Sequence, residues 1–115
     1  MEKQFNKVEG LKGEIDACEY LENKKYKIIE KNYRNYIGEI DIVAQQKNVI
    51  VFVEVKLRST FRFGRPSEAV DFRKQQKLRS VANLYLIQHK MTDKQCRFDI
   101  IEIVGQYINH IENAF

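Results

Sequence analysis

The sequence predicts an α/β protein in which a mixed β-sheet is covered by helices on both faces, and three observations carry that prediction. An apolar pattern of helical period occupies the N-terminal part of the chain. Two strand-like runs follow in close succession, joined by a short polar turn. A long helical pattern then separates the third strand-like run from the fourth, with enough residues to act as a crossover. At 115 residues the chain reads as one domain over residues 1–115, because a second core would have too little left to bury. Hydrophobic residues make up 43% and aromatic residues 11%, the composition of a globular chain and not of a disordered one.

From about Lys7 to Lys24, Val8, Leu11, Ile15, Cys18 and Leu21 recur at three- and four-residue spacing, which predicts an amphipathic helix. Tyr26 to Tyr33, containing Ile28 and Ile29, predicts a first strand. A second runs from Gly38 through Gln45, and the polar tract Gln45-Gln46-Lys47-Asn48 turns the chain into a third, Val49 to Lys56. Leu57 to Ser67 holds Gly64 and the single proline, Pro66, and is expected to be an irregular loop, with Pro66 and Ser67 suited to start the next helix. That helix is expected to reach about Lys90, with Val70, Leu78, Val81, Ala82, Tyr85 and Leu86 as its buried stripe. Arg97 to Val104 and Tyr107 to Glu112 form the last two strands, separated by Gly105-Gln106. The order is helix, three strands, helix, two strands, and the long crossover lays strand four parallel to strand three.

Lys and Arg total 20 against 16 Asp and Glu, a formal net charge of +4. This is a mild bias toward anionic partners that needs support from elsewhere. Cys18 and Cys96 lack metal-ligand spacing and are expected to be reduced core residues. Without a signal-peptide pattern or an apolar run approaching the ~18 residues of a membrane span, the expected location is the cytoplasm, with no membrane partner.

The chemistry is concentrated on the second and third strands. Val49-Ile50-Val51-Phe52-Val53-Glu54-Val55-Lys56 is a nearly continuous apolar run interrupted at its end by two charges. Side chains alternate along a strand, so Glu54 and Lys56 share a face with Phe52 behind them. Asp41 interrupts the apolar run of the neighbouring strand in the same way. Isolated charges there are costly, whereas two carboxylates sharing Mg²⁺ (or Mn²⁺) beside an ammonium are not. Phosphodiester hydrolysis needs these groups: carboxylates to hold a cation that polarises the phosphate and acidifies water, and a lysine to orient that water and stabilise negative charge. Glu14 falls on or beside the first helix's apolar stripe and is a further ligand candidate. Glu39 lies two residues before Asp41, on the same face, at the edge of the site.

Basic residues surround this acidic centre: Arg34, Arg58, and Arg62 and Arg65 in the loop Phe61-Arg62-Phe63-Gly64-Arg65, where aromatic and guanidinium groups can stack on bases and pair with phosphates. Lys74 and Lys77, early in the second helix, are placed to reach the same phosphate chain. Each has an ordinary alternative as a solvated charge. His89 and His110 have no partners at ligand spacing and are expected at the surface, while Tyr20, Tyr26 and Tyr85 are expected in the core.

Taken together, Gly13-Glu14, Asn32-Tyr33-Arg34, Gly38-Glu39-Ile40-Asp41, Val51-Phe52-Val53-Glu54-Val55-Lys56-Leu57-Arg58, Glu68-Ala69-Val70, Lys74, Arg97-Phe98-Asp99 and the closing His110 to Phe115 resemble the YraN-like family of bacterial proteins. That family is placed in the PD-(D/E)xK, or restriction-endonuclease-like, nuclease superfamily and is similar to archaeal Holliday-junction resolvases. The resemblance implies a three-layer α/β/α restriction-endonuclease-like (tRNA endonuclease-like) fold with sheet order 1-2-3-4-5, strands two and five being antiparallel to the rest. It implies metal binding by Asp41 and Glu54, Lys56 as catalytic lysine, and Glu14 as the helix acid. Ile40 stands where the superfamily motif has its proline. The expected activity is metal-dependent endonucleolytic cleavage of DNA, with a structure-specific, resolvase-like substrate in repair or recombination. RNA is the second substrate to consider, and a homodimer would suit a symmetric junction. The alternatives are a nucleic-acid-binding protein of the same fold with little or partner-dependent cleavage, and a scaffold whose acidic cluster is an interaction surface.

Overall fold

The computed structural model describes residues 7–58 and 70–115. Its elements run α1 (Lys7–Asn23), β1 (Lys27–Arg34), β2 (Glu39–Gln46), β3 (Val49–Leu57), α2 (Phe72–Gln88), β4 (Gln95–Val104) and β5 (Tyr107–Ile111). The strands form one five-stranded sheet in the order β1-β2-β3-β4-β5. β3 and β4 are parallel, and the other neighbouring pairs are antiparallel. The order of elements and the mixed sheet agree with the sequence reading. The α2 crossover is what permits the parallel pair, since a short turn can join only antiparallel neighbours.

Alternation along the strands divides the core into two layers. Val43, Ile50, Phe52, Phe98 and Ile100 face α2 and meet Leu78, Val81, Ala82, Tyr85 and Leu86. Ile42, Ala44, Val51, Val53, Val55, Ile101 and Ile103 face α1 and meet Ala17, Cys18 and Leu21. β3 is buried along almost its whole length because both faces are covered. At the β2–β3 turn Lys47 takes up a left-handed φ of 54°, and at the β4–β5 turn Gly105 has φ 58°.

Several expectations are corrected. The α1 stripe is rotated: Leu11 and Ile15 are 55% and 50% exposed. The inward face contains Gly13 and Ala17, whose small size lets the helix approach the sheet; the Leu57 side chain lies where a Gly13 Cβ would be. Val70 is buried but precedes α2, which starts at Phe72 behind Asp71. Asp71 is the N-cap of α2, its carboxylate accepting the Lys74 N–H at 2.8 Å, while the expected loop from residue 59 and the expected helix start at Pro66 and Ser67 lie outside the described residues. Cys18 is buried and Cys96 exposed, the latter lying near the start of β4 before the strand enters the core.

His110 is the largest departure from the surface expectation. Its side chain is 2% exposed, with Nε2 at 2.7 Å from Asp99 Oδ2 and Nδ1 at 3.2 Å from the Tyr20 hydroxyl. Arg97 donates to both Asp99 carboxylate oxygens, at 2.9 and 3.2 Å, and the Asn113 N–H donates at 3.0 Å. Burial alone would raise the pKa of Asp99, but the bonds from His110, Arg97 and Asn113 outweigh it and hold the carboxyl below its usual value. This network ties β4, β5 and α1 together. The C-terminal residues dock on the other face, where Phe115 stacks on Phe98 at 5.0 Å and the Ala114 N–H donates to the Phe98 carbonyl at 2.7 Å.

Candidate functional site

β2 and β3 are paired from Gln46↔Val49 to Ile42↔Val53, and their pairing ends there. Beyond that point the Asp41 carboxylate accepts the Val55 backbone N–H at 2.8 Å, so a side chain replaces the next rung of the ladder. This fixes the carboxylate at the parting of two central strands. Glu54 is opposite it on β3, 5% exposed. A cleft of about 590 Å³ opens at this end of the sheet under the first turns of α2, with Asp41, Glu54, Glu39, Asp71, Arg73, Lys74 and Lys77 among its lining residues.

Burying Glu54 would be costly without cations. Lys74 Nζ lies 2.7 Å from Glu54 Oε2, and Lys56 Nζ lies 3.8 Å from the same oxygen. Glu54 and Lys56 share a strand face as the alternation requires. Partial burial would lower the pKa of Lys74, but Glu54, Asp41 and Asp71 raise it above the usual lysine value, so this ammonium stays charged over the carboxylates. Gly38 places the β1–β2 hairpin directly beneath α2: a Cβ there would lie 3.0 Å from Lys77 Cε and 3.2 Å from Val81 Cγ2.

The other predicted site residues fall into separate groups. Glu14 is not in the cleft wall; its carboxylate accepts the Asn32 side-chain N–H at 3.0 Å. Asn32 sits on β1 between the pairs Lys31↔Ile42 and Tyr33↔Ile40, and so lies beside Asp41 of β2. Glu14 is therefore connected to the Asp41 region through Asn32. Glu39 is at the rim, paired with Arg34 at 3.2 Å, and the Arg34 side chain is 74% exposed. Arg58 is buried and paired with Glu102 of β4 at 3.0 Å. Lys77 lines the cleft, whereas Arg62 and Arg65 lie outside the described residues.

The sequence pattern assigns no site role to Asp71, Arg73 or Asn35, and Asn32 enters only among the residues carrying the family resemblance. Arg73 and Lys77 are separated by one helical turn, a spacing that could have identified a basic face on α2. Asn35 gave no such signal. It accepts the N–H groups of Ile37 and Gly38 at 2.9 and 3.3 Å and donates to the Tyr33 hydroxyl and the Val81 carbonyl at 2.9 and 3.3 Å. The hairpin tip is thereby bonded to α2.

Among the described residues, no three His, Cys, Asp or Glu side chains are gathered closely enough to hold a metal ion. Asp41 and Glu54 are a two-carboxylate set, unlike the nitrogen- and sulfur-rich sets of zinc sites. Such a set suits a hard divalent cation that keeps several of its own waters, such as Mg²⁺. No helix among the described residues is long and apolar enough to cross a membrane.

Relatives align along nearly the whole chain. A UPF0102 protein of Caldanaerobacter subterraneus subsp. tengcongensis is 49% identical over 122 residues, covering 100% of both chains. One from Clostridioides difficile is 49% identical over 112 residues, covering 96% of this chain and 98% of that protein. A third, from Persephonella marina, is 44% identical over 111 residues, covering 96% of each. The model of the uncharacterised protein family UPF0102 matches residues 13–103. The chain belongs to UPF0102, the YraN-like family.

Proposed function

We propose that the protein is a divalent-metal-dependent endonuclease of restriction-endonuclease-like fold, acting on DNA phosphodiesters, with structure-specific, resolvase-like cleavage as its activity. The observation carrying this reading is the position of Asp41, held by the Val55 N–H where β2 and β3 part, opposite the buried pair Glu54 and Lys56. Asp41 and Glu54 would hold Mg²⁺ or Mn²⁺. When bound, the cation would supply Lewis-acid polarisation of the phosphate and a more acidic water.

The protein's own groups account for the rest. Lys56 projects its ammonium at the buried end of β3 and stabilises negative charge developing on the phosphate. Lys74, Lys77 and Arg73 present cations along the cleft wall and hold the flanking phosphates. Glu14 acts through Asn32 on the strand beside Asp41, as a positioning group. The low-dielectric floor formed by Leu78 and Val81 strengthens these interactions.

A second reading is nucleic-acid binding with little or partner-dependent cleavage. It is favoured by the Lys74 ammonium resting 2.7 Å from Glu54, where it competes with a divalent ion for that carboxylate.

Incubation of the full chain with duplex, single-stranded, flapped and four-way DNA, in Mg²⁺ or Mn²⁺, separates the readings. Cleavage lost on chelation supports the enzyme. Salt-sensitive binding without cleavage of any substrate supports the binding protein. Absence of both overturns the two together.

A further inference from the structure

We propose that Tyr36 is a base-stacking residue that gives the cleft a preference for nucleic acid with an unpaired nucleotide; this rests on the reading of the cleft as a nucleic-acid site. Tyr36 is 90% exposed at the tip of the β1–β2 hairpin. An exposed aromatic on a loose tip would lose entropy on stacking, but this tip is already held. The Asn35 N–H donates to the Gly38 carbonyl at 2.9 Å, and the Asn35 side chain accepts the Ile37 and Gly38 N–H groups. Its amide also donates to Val81 of α2. The backbone carrying the ring is thus fixed before any ligand arrives, which lowers the ordering cost of binding.

The hairpin also puts the ring near phosphate-binding charge. Gly38, two residues on, abuts the Lys77 side chain of the cleft wall, and Glu39 lines the cleft itself. Glu39 is three residue steps from Tyr36, a reach of at most about 10 Å along extended chain. Tyr36 stands between the exposed or half-exposed polar residues Asn35 and Arg34 on one side and the partly buried Ile37 on the other. A protein–protein contact would be expected to show a contiguous apolar patch. An exposed aromatic ring close to lysine and arginine side chains of a cleft, here Lys77, Lys74 and Arg73, is instead the combination used to bind unpaired bases, because every base offers a π-face while the phosphates pair with the cations. Bases stacked within a duplex present no free face, so the ring discriminates by strand structure and not by sequence.

The test compares the full-length wild type with Tyr36→Ala, Tyr36→Phe and Tyr107→Ala. Tyr107 is 72% exposed on β5, at the opposite edge of the sheet, and serves as the control. Anisotropy is read with a fluorescein-labelled oligo-dT single strand and with a duplex of equal length, without divalent metal. Tyr36→Ala should weaken single-strand binding roughly 5- to 150-fold, the equivalent of about 1–3 kcal/mol, and duplex binding less than about twofold. Tyr36→Phe and Tyr107→Ala should match the wild type. Equal single-strand affinity for wild type and Tyr36→Ala overturns the stacking role alone, provided Arg73→Ala or Lys77→Ala still weakens both probes. If the wild type binds neither probe, the nucleic-acid reading of the cleft fails and the stacking role fails with it. Conversion of a dimer to monomer by Tyr36→Ala in sedimentation, with single-strand affinity unchanged, assigns the ring to a protein contact and likewise overturns the proposal.

Discussion

The Asp41 carboxylate receives the backbone N–H of Val55 at 2.8 Å, just beyond the last paired residues of β2 and β3. One side chain therefore serves both to close the strand gap and to present a carboxylate to the cleft. The two roles separate by substitution. Asp41→Asn keeps an oxygen acceptor for Val55 and should cost less than about 1 kcal/mol of stability. Asp41→Ala removes that acceptor and should cost about 1–3 kcal/mol. Urea unfolding of the two variants at neutral pH measures the difference; equal losses would mean that the bond does not support the fold.

Asp99 should make the protein acid-sensitive. Its folded pKa is held below the ordinary carboxylate value of 3.8 by His110, Arg97 and the Asn113 N–H, against the opposing effect of burial. A lowered folded pKa contributes stability that is complete above the unfolded pKa and is lost as pH falls through the folded one. Asp99→Asn should therefore cost about 3 kcal/mol at neutral pH, where it leaves Arg97 without its buried anion. The penalty should shrink as the pH falls below the ordinary carboxylate value of 3.8 toward the lower folded one, because the contribution of the charged wild-type carboxyl is lost over that interval. A penalty independent of pH in urea titrations would contradict this assignment.

Tyr85 is fully buried, and among the described residues its hydroxyl has no hydrogen-bond partner. A buried unsatisfied hydroxyl is destabilising, and its removal keeps the ring contacts with Tyr33, Phe52 and His89. Tyr85→Phe should leave stability unchanged or raise it by about 1–2 kcal/mol. A melting temperature several degrees lower would reveal a hydroxyl interaction that the geometry lacks.

Close approach of α1 to β3 predicts a context-dependent effect at Gly13. A Cβ at that position would lie 2.7–3.0 Å from the Leu57 side chain. Gly13→Ala should cost about 1–3 kcal/mol through overpacking, exceeding the ~1 kcal/mol gained in helix propensity. In a Leu57→Ala background the same change should become stabilising by up to about 1 kcal/mol, because only the propensity gain remains. A double-mutant cycle by thermal denaturation measures the coupling, and additivity would exclude the contact.

The legible parts of the fold were those where burial and period coincide. β3 could be read because both its faces are covered, so Glu54 and Lys56 stand out against an apolar run. The inward stripe of α2 was equally clear, but Asp71 as its cap was not singled out, because a lone acid before a helix resembles any solvated charge. The phase of α1 was misread because a small-residue face through Gly13 and Ala17 carries little hydrophobic signal, although it allows the closest packing. Of the site, Asp41, Glu54, Lys74 and Lys77 were found from local pattern and do line one cleft. The environments of Glu14, Arg58 and His110 depend on partners distant in sequence, namely Asn32, Glu102 and Asp99, and no local spacing encodes them.

Joint action of Asp41, Glu54 and Lys56 on nucleic-acid phosphates is tested most directly by the Mg²⁺-dependent cleavage rate of end-labelled four-way-junction DNA by wild type, Asp41→Asn and Lys56→Met. The wild type should cleave, with cleavage abolished by EDTA, and each folded variant should lose at least about 100-fold, the scale of removing an electrostatic stabiliser from an active site. Cleavage at the wild-type rate by both variants would rule out their joint action.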